Sequence, residues 1–388
     1  MGKMENQIEQ PRGKVGLTTI SAFAAATARE PISGNSRLRT NGFRPRDLRS
    51  YWTLLAMDHF LGRERVDRTF KYWRSGLNQR MLESIRQNGE SRVIPLPRVT
   101  QLDRKTYMKE FVNKSHPVVF VGAAKDWECC RKWSFDWIKQ QYGSDDVMLV
   151  DHGKPDRNPL HAPVEHLTLG DLIDGIDHGS LKYARFHPLL QRHPELRIDI
   201  DQRWLKDHLT NRRTSWLHFY TLFLGGKGTD TAIHNAGNEN LFVQIQGQKK
   251  WRLYPVEHTP IFDPPANRSL YKYTGYRPDE PDYELYPMAR HMDWYETVLE
   301  PGDVLYNPPY YWHHVSNPVR SIGVGCRWNN IRTAFLAAPT LAILELFNTN
   351  PNLIKGMLLT LKDFNTVLAE TRLDKKQTMA QSGGSQQS

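Results

Sequence analysis

From residue 216 onward the chain is built of short segments that alternate apolar and polar residues, each closed by a turn signal. Segment 216–224 runs into Gly225-Gly226, and later segments break at Gly247, Pro255, Gly302, Pro308-Pro309 and Pro318. Successive side chains of a strand point to opposite faces, so each such segment offers one apolar face that needs a partner sheet. Many short strands at this spacing stack into a sandwich or close into a barrel of jelly-roll type. Earlier in the chain, 117–122 and 147–150 read as further short strands. Residues 167–176 read as a helix, and the tryptophan-rich stretch from Trp127 to Ile138 as a loop leading into another.

Helical periodicity flanks this β region. Segments 47–61 and 64–86 carry apolar residues at spacings of three and four, the second through Val66, Phe70, Trp73, Leu77, Met81 and Ile85. Residues 1–92 hold 17 Lys/Arg against 9 Asp/Glu, so most of the net charge of +10 belongs to this extension. A basic amphipathic pair can lie on an acidic membrane surface or pack on a neighbouring domain. Packing is the usual role of such a stripe and is the reading taken here. There is no strong nucleic-acid signal. After Trp328 the chain returns to helix over 336–347 and 352–372, whose apolar stripes could support a homodimer. The expected organisation is a disordered basic N-terminus (1–45), an amphipathic helical extension (46–92), a β domain (93–332), C-terminal helices (333–373) and a disordered tail (374–388). No apolar run reaches the roughly 20 residues of a membrane-spanning helix, and Glu5 and Glu9 oppose a transit peptide. Cys129, Cys130 and Cys326 give an odd number with two of them adjacent, so no disulfide framework is implied. A cytoplasmic protein is expected.

The chemistry-bearing text lies in two blocks. In Thr229-Asp-Thr-Ala-Ile-His-Asn-Ala-Gly-Asn-Glu-Asn240, His234 and Ala236 are two apart and share one face of a strand. In Pro301-Gly-Asp-Val-Leu-Tyr-Asn-Pro-Pro-Tyr-Tyr-Trp-His-His-Val315, two histidines are sequential, so only one can face inward. A histidine in a β core is usually a hydrogen-bonded structural residue, and Lys249, followed by Lys250 just after Gly247, reads in isolation as a solvated turn lysine.

The uninterrupted run from Thr231 through His234, Asn240, Gly247 and Lys249 to Pro255, followed by the P-G-D-x-L-Y-x-P-x-x-x-W-H block, changes both readings. It resembles the JmjC-type, cupin-fold oxygenases, notably the branch of the hypoxia-inducible-factor asparaginyl hydroxylase, over roughly residues 94–330. The resemblance implies a mainly β, double-stranded β-helix (jelly-roll, cupin) core with N- and C-terminal helical additions. It implies an iron(II)- and 2-oxoglutarate-dependent enzyme with His234 and His313 as metal ligands and His314 facing away. Lys249 would take the distal carboxylate of the cosubstrate, with Thr231 and Asn240 helping to hold it. A buried dicarboxylate needs such a cation and neutral donors.

The departure is Ala236, which stands where the family places Asp or Glu, leaving two protein ligands where a facial triad has three. Asp230 and Glu239 are the nearest carboxylates, and Glu239 could join only by a register shift. Cys326 falls where some relatives have an asparagine near the cosubstrate. Three readings follow: a hydroxylase-type oxygenase with an exogenous ligand at the vacancy, a halogenase holding halide there, and a non-catalytic binding or scaffold protein. The enzyme reading is preferred, because five companions of the missing carboxylate remain. The substrate, a protein side chain or a small molecule, is not legible. The insert from Tyr271 to Tyr295 is expected to shape its approach, in a loop over 257–300. Tyr310, Tyr311 and Trp312 are candidates for the mouth, with core packing preferred for Trp312.

Overall fold

A computed structural model describes residues 38–39, 42–150, 164–210, 218–266 and 268–349. Two mixed sheets face each other. The first has six strands in the spatial order β1 (Val93–Pro95), β12 (Trp294–Leu299), β10 (Lys249–Tyr254), β14 (Trp312–Ser316), β8 (Asp230–Ala236) and β11 (Tyr271–Tyr273). The second has seven: β2 (Arg98–Val99), β3 (Val118–Phe120), β13 (Val304–Asn307), β9 (Glu239–Gln246), β15 (Ser321–Trp328), β7 (Phe219–Gly225) and β6 (Tyr183–His187). A two-stranded ribbon, β4 (Asp146–Val150) with β5 (Val164–Thr168), stands apart. From β8 to β15 the chain keeps crossing between the two sheets, which is the winding of a double-stranded β-helix.

Three apolar layers follow from strand alternation. Between the sheets lie Phe223, Phe242, Trp251, Leu253, Leu305, Tyr311 and Val315. Behind the seven-stranded sheet, Tyr220, Leu241, Val243, Tyr306, Val324 and Cys326 meet Trp127, Ile138, Leu172 and Leu205 of the intervening helical segments. Every residue of β7 and β15 is therefore buried, as expected for strands covered on both faces. Behind the six-stranded sheet, Ile233, Tyr254 and Trp312 meet α1 (Pro45–Leu61) and α2 (Arg63–Arg86). The amphipathic pair thus packs through Tyr51, Leu54, Leu55, Val66, Leu77, Met81 and Ile85. Trp73 of the expected stripe stays 37% exposed, because the stripe is wider than the surface it covers.

Several expectations need correction. The 257–300 stretch is not all loop, since it supplies β12 and the edge strand β11. The expected 336–347 helix divides into Ile331–Ala337 and Pro339–Leu346, because Pro339 lacks the amide hydrogen to continue the first and suits the opening turn of the second. The expected 352–372 helix, the two termini and Trp216 lie outside the described residues. Among the described residues no helix is long and apolar enough to cross a membrane.

Candidate metal and cosubstrate site

His234 and His313 are direct cross-strand partners on β8 and β14, and their ring centroids are 4.1 Å apart. The ladder slips between His313 and Val315, pairing Val315 with Thr231. This bulge turns both Thr231 and His234 inward, although they are three apart. Each imidazole Nδ1 donates to a backbone carbonyl two residues earlier, His234 to Ala232 at 2.8 Å and His313 to Tyr311 at 2.9 Å. A carbonyl can only accept, so each Nδ1 carries the hydrogen and each Nε2 keeps its lone pair. Burial drives both imidazoles toward the neutral form, His313 down to about 3 and His234 well below the usual histidine range. The neighbouring His313 and the Arg327 cation push His234 the same way. Tyr271 of β11 stacks on His234 with centroids 4.6 Å apart, and Trp251 stacks on His313 at 5.4 Å.

Alternation sends His314 to the opposite face, where its Nε2 meets Asp230 Oδ2 at 3.1 Å. Ala236 pairs with Tyr271 and by alternation shares the inward face with His234. No carboxylate replaces the missing one: among the described residues no group of three His, Cys, Asp or Glu could hold a metal ion. Asp230 is held by His314 on the outer face. Glu239 lies on the far side of β9, bonded to Thr210 and to the Tyr306 hydroxyl at 2.9 Å, and burial raises it to about 7. Glu345, in the Pro339–Leu346 helix, approaches Gly237 and accepts a hydrogen bond from Tyr310 without joining the histidines.

The cosubstrate end is more complete. Gly247, with φ +68°, makes the turn from β9 to β10, where any side chain would collide with the Arg320 carbonyl. The turn aims Lys249 inward, where it is fully buried. Its Nζ donates to Asn317 Oδ1 at 2.7 Å and to the Tyr183 hydroxyl at 3.1 Å. Among the described residues no carboxylate pairs with it, and desolvation lowers its pKa to about 7. Thr231 lies within reach of the same phenol. Asn240, 1% exposed, has neither amide atom satisfied, which in a native interior signals an absent partner.

The structure changes the readings of Cys326, Tyr310 and Tyr311 and agrees with the core packing preferred for Trp312. Cys326 points into the outer layer, paired between Leu241 and Tyr220, and the inward residue beside it is Arg327. Trp312 packs behind the six-stranded sheet and donates to Thr259 Oγ1 at 3.0 Å, Tyr310 joins the same layer, and Tyr311 lies between the sheets. None of the three lines a mouth, because strand alternation and the turn before β14 bury all of them. Tyr183, Asn317 and Arg327 escaped the sequence reading, and Tyr271 entered it only as the start of the insert. The alternation Ser-x-Gly-x-Gly-x-Arg from Ser321 to Arg327 could have flagged the arginine.

As a host for iron(II), the site offers two converging neutral imidazoles with the required tautomer and a built anion seat, and among the described residues it has no third protein ligand. The donors present fit a metal held by His234, His313 and the cosubstrate.

A family model described as a cupin-like domain matches residues 104–333. The chain is 27% identical over 252 residues to JmjC domain-containing protein D of Dictyostelium discoideum, covering 58% of this chain and 55% of that protein. It is 25% identical over 243 residues to lysine-specific demethylase 8 of Danio rerio, covering 60% and 58%. A shorter match, 34% over 101 residues, joins it to human HSPB1-associated protein 1, covering 25% and 20%. The chain thus spans little more than half the length of the first two relatives. With more than half of its residues in the matched domain and the two-sheet winding to go with it, the chain belongs to the cupin-like domain family, and it is similar to proteins named for a JmjC domain.

Proposed function

We propose that this site binds 2-oxoglutarate and a divalent iron and carries out an oxygenase-type oxidation with two histidine ligands. One observation carries the reading: a fully buried lysine that has no carboxylate partner among the described residues and is held by the Tyr183 phenol and the Asn317 carboxamide, with Thr231 near the same phenol. An ammonium in such a place is costly unless an anion joins it. The distal carboxylate of 2-oxoglutarate supplies that charge, while Tyr183 and Thr231 offer hydroxyl donors and Asn240 offers its free amide. His234 and His313 present Nε2 to the metal, and Tyr271 and Trp251 hold the two rings in place by stacking. Bound iron would supply the oxygen-activating chemistry of the family. The apolar walls Phe223, Phe242 and Leu305 exclude water from the reacting centre.

Ala236, with no carboxylate brought in among the described residues, favours a second reading, a binding module that retains the cosubstrate seat without turnover. Succinate formation separates the two. The enzyme reading expects iron-dependent conversion of 2-oxoglutarate to succinate that His313→Ala abolishes. Tight 2-oxoglutarate binding with no succinate under any iron loading would favour the module.

A further inference from the structure

Arg327 projects inward from β15, next to Asn240 across the ladder. It is 8% exposed, its Nε has no hydrogen-bond partner, and no hydrogen bond or ion pair to it is formed among the described residues. Its guanidinium stands 4.8 Å from the Phe186 ring centroid and 5.8 Å from that of Phe223. Ring faces alone are a weak substitute for water around a buried cation. Partly exposed Arg185 stands near enough to act on Tyr271 and His234, and among the described residues the carboxylate whose field reaches it is Asp230, which is also bonded to His314. Gly325 keeps this space clear, since a Cβ there would come within 2.9 Å of Asn240 Oδ1 and 3.4 Å of Arg327 Nε. Lys249 stands over a different ring, Phe242 at 5.8 Å, and Phe223 and Phe242 pack on each other at 5.5 Å. The space between the sheets therefore has two cationic ends with an aromatic pair between them.

We propose that Arg327, with Arg185, forms a second anion subsite distinct from the Lys249 seat, and that the substrate is acidic, presenting a carboxylate or phosphate beside the histidines. The proposal rests on the 2-oxoglutarate reading for the Lys249 end. Charge counting supports it: one dicarboxylate at Lys249 leaves the Arg327 guanidinium without a carboxylate among the described residues, and a bound metal would add to the positive charge. A cationic substrate, such as the lysine in the name of the Danio rerio relative, would meet like charge here.

The test is calorimetry on the full chain with Mn(II), first titrated with 2-oxoglutarate and then, at saturation, with O-phosphoserine or N-acetylaspartate. The wild type should bind at least one of these on top of 2-oxoglutarate, and which one distinguishes a phosphate from a carboxylate source. Arg327→Met should weaken that second binding roughly tenfold or more, the worth of a lost charged hydrogen bond, and leave 2-oxoglutarate nearly unchanged. Lys249→Met should do the reverse. Arg185→Met serves as a rim variant if Arg327→Met fails to fold, and Arg327→Lys should restore part of the affinity. If neither probe binds while 2-oxoglutarate does, or if Arg327→Met weakens 2-oxoglutarate as much as Lys249→Met, the second subsite is overturned and the cosubstrate reading survives. If the probe binds through Arg327 while 2-oxoglutarate does not bind, the subsite stands and the cosubstrate reading falls.

Discussion

Binding of 2-oxoglutarate should draw a proton from solution, and Lys249 sets how much. Burial lowers this lysine from 10.5 to about 7, which corresponds to about 5 kcal/mol against the charged form. Because the folded value lies below the unfolded one, the penalty is fully present below pH 7 and is relieved as pH rises toward 10.5. A carboxylate docking on Nζ favours the ammonium and moves the pKa back up. At pH 7 about half of the protein must then take up a proton on binding, at pH 8 about nine-tenths, and at pH 6 about one-tenth. Calorimetry of metal-loaded protein in buffers of different ionisation heat reads this number directly. Lys249→Met, close in shape, should lose most of the 2-oxoglutarate affinity and the proton uptake. It should also raise the melting temperature of the ligand-free protein at pH 7, since it removes a buried cation that has no carboxylate partner among the described residues. Uptake that does not grow between pH 6 and pH 8, or a Lys249→Met protein that binds 2-oxoglutarate normally, would refute the reasoning.

Other outcomes follow from the same geometry. His234→Ala or His313→Ala should abolish metal binding measured by equilibrium dialysis, whereas His314→Ala, on the outer face, should leave it largely intact; the reverse pattern would mean that the strand faces the other way. Ala236→Asp should tighten iron binding by placing a carboxylate beside His234, and if halide occupies that position in the wild type, chloride should perturb the wild-type iron spectrum and not that of the variant. Met81→Ala should destabilise the fold by about 2–5 kcal/mol in denaturant unfolding, because Met81 of α2 is fully buried in the apolar cluster behind the six-stranded sheet; a change under 1 kcal/mol would mean that the helical extension is not part of the cooperative unit.

Regular periodicity carried most of the architecture into the sequence. The alternation of β-forming segments pointed to a sandwich or jelly-roll barrel, the family resemblance to the double-stranded β-helix, and the three-four spacing to α1 and α2 nearly to their ends. Loop text was less legible. Tyr271-Lys-Tyr273 is too short to show a period, and it becomes a strand only because β8 offers a free edge. Tyr183 and Asn317 are unremarkable residues in sequence, brought to Lys249 by pairing between strands far apart in the chain. Cys326 and Arg327 show how a one-residue shift decides chemistry: alignment by position brought the cysteine to notice, whereas the pleat turns the arginine inward. Thr231 and His234 could share a face only through a bulge, which the letters do not announce.

The claim on which all of this depends is that Lys249, His234 and His313 jointly hold 2-oxoglutarate and iron. Anaerobic titration of the full chain with iron(II) and then 2-oxoglutarate, followed by visible absorption, tests it most directly. A metal-to-ligand charge-transfer band that grows with 2-oxoglutarate, saturates at one equivalent, and is lost in both His313→Ala and Lys249→Met is the result expected. A wild-type protein that binds neither iron nor 2-oxoglutarate under these conditions would contradict the account.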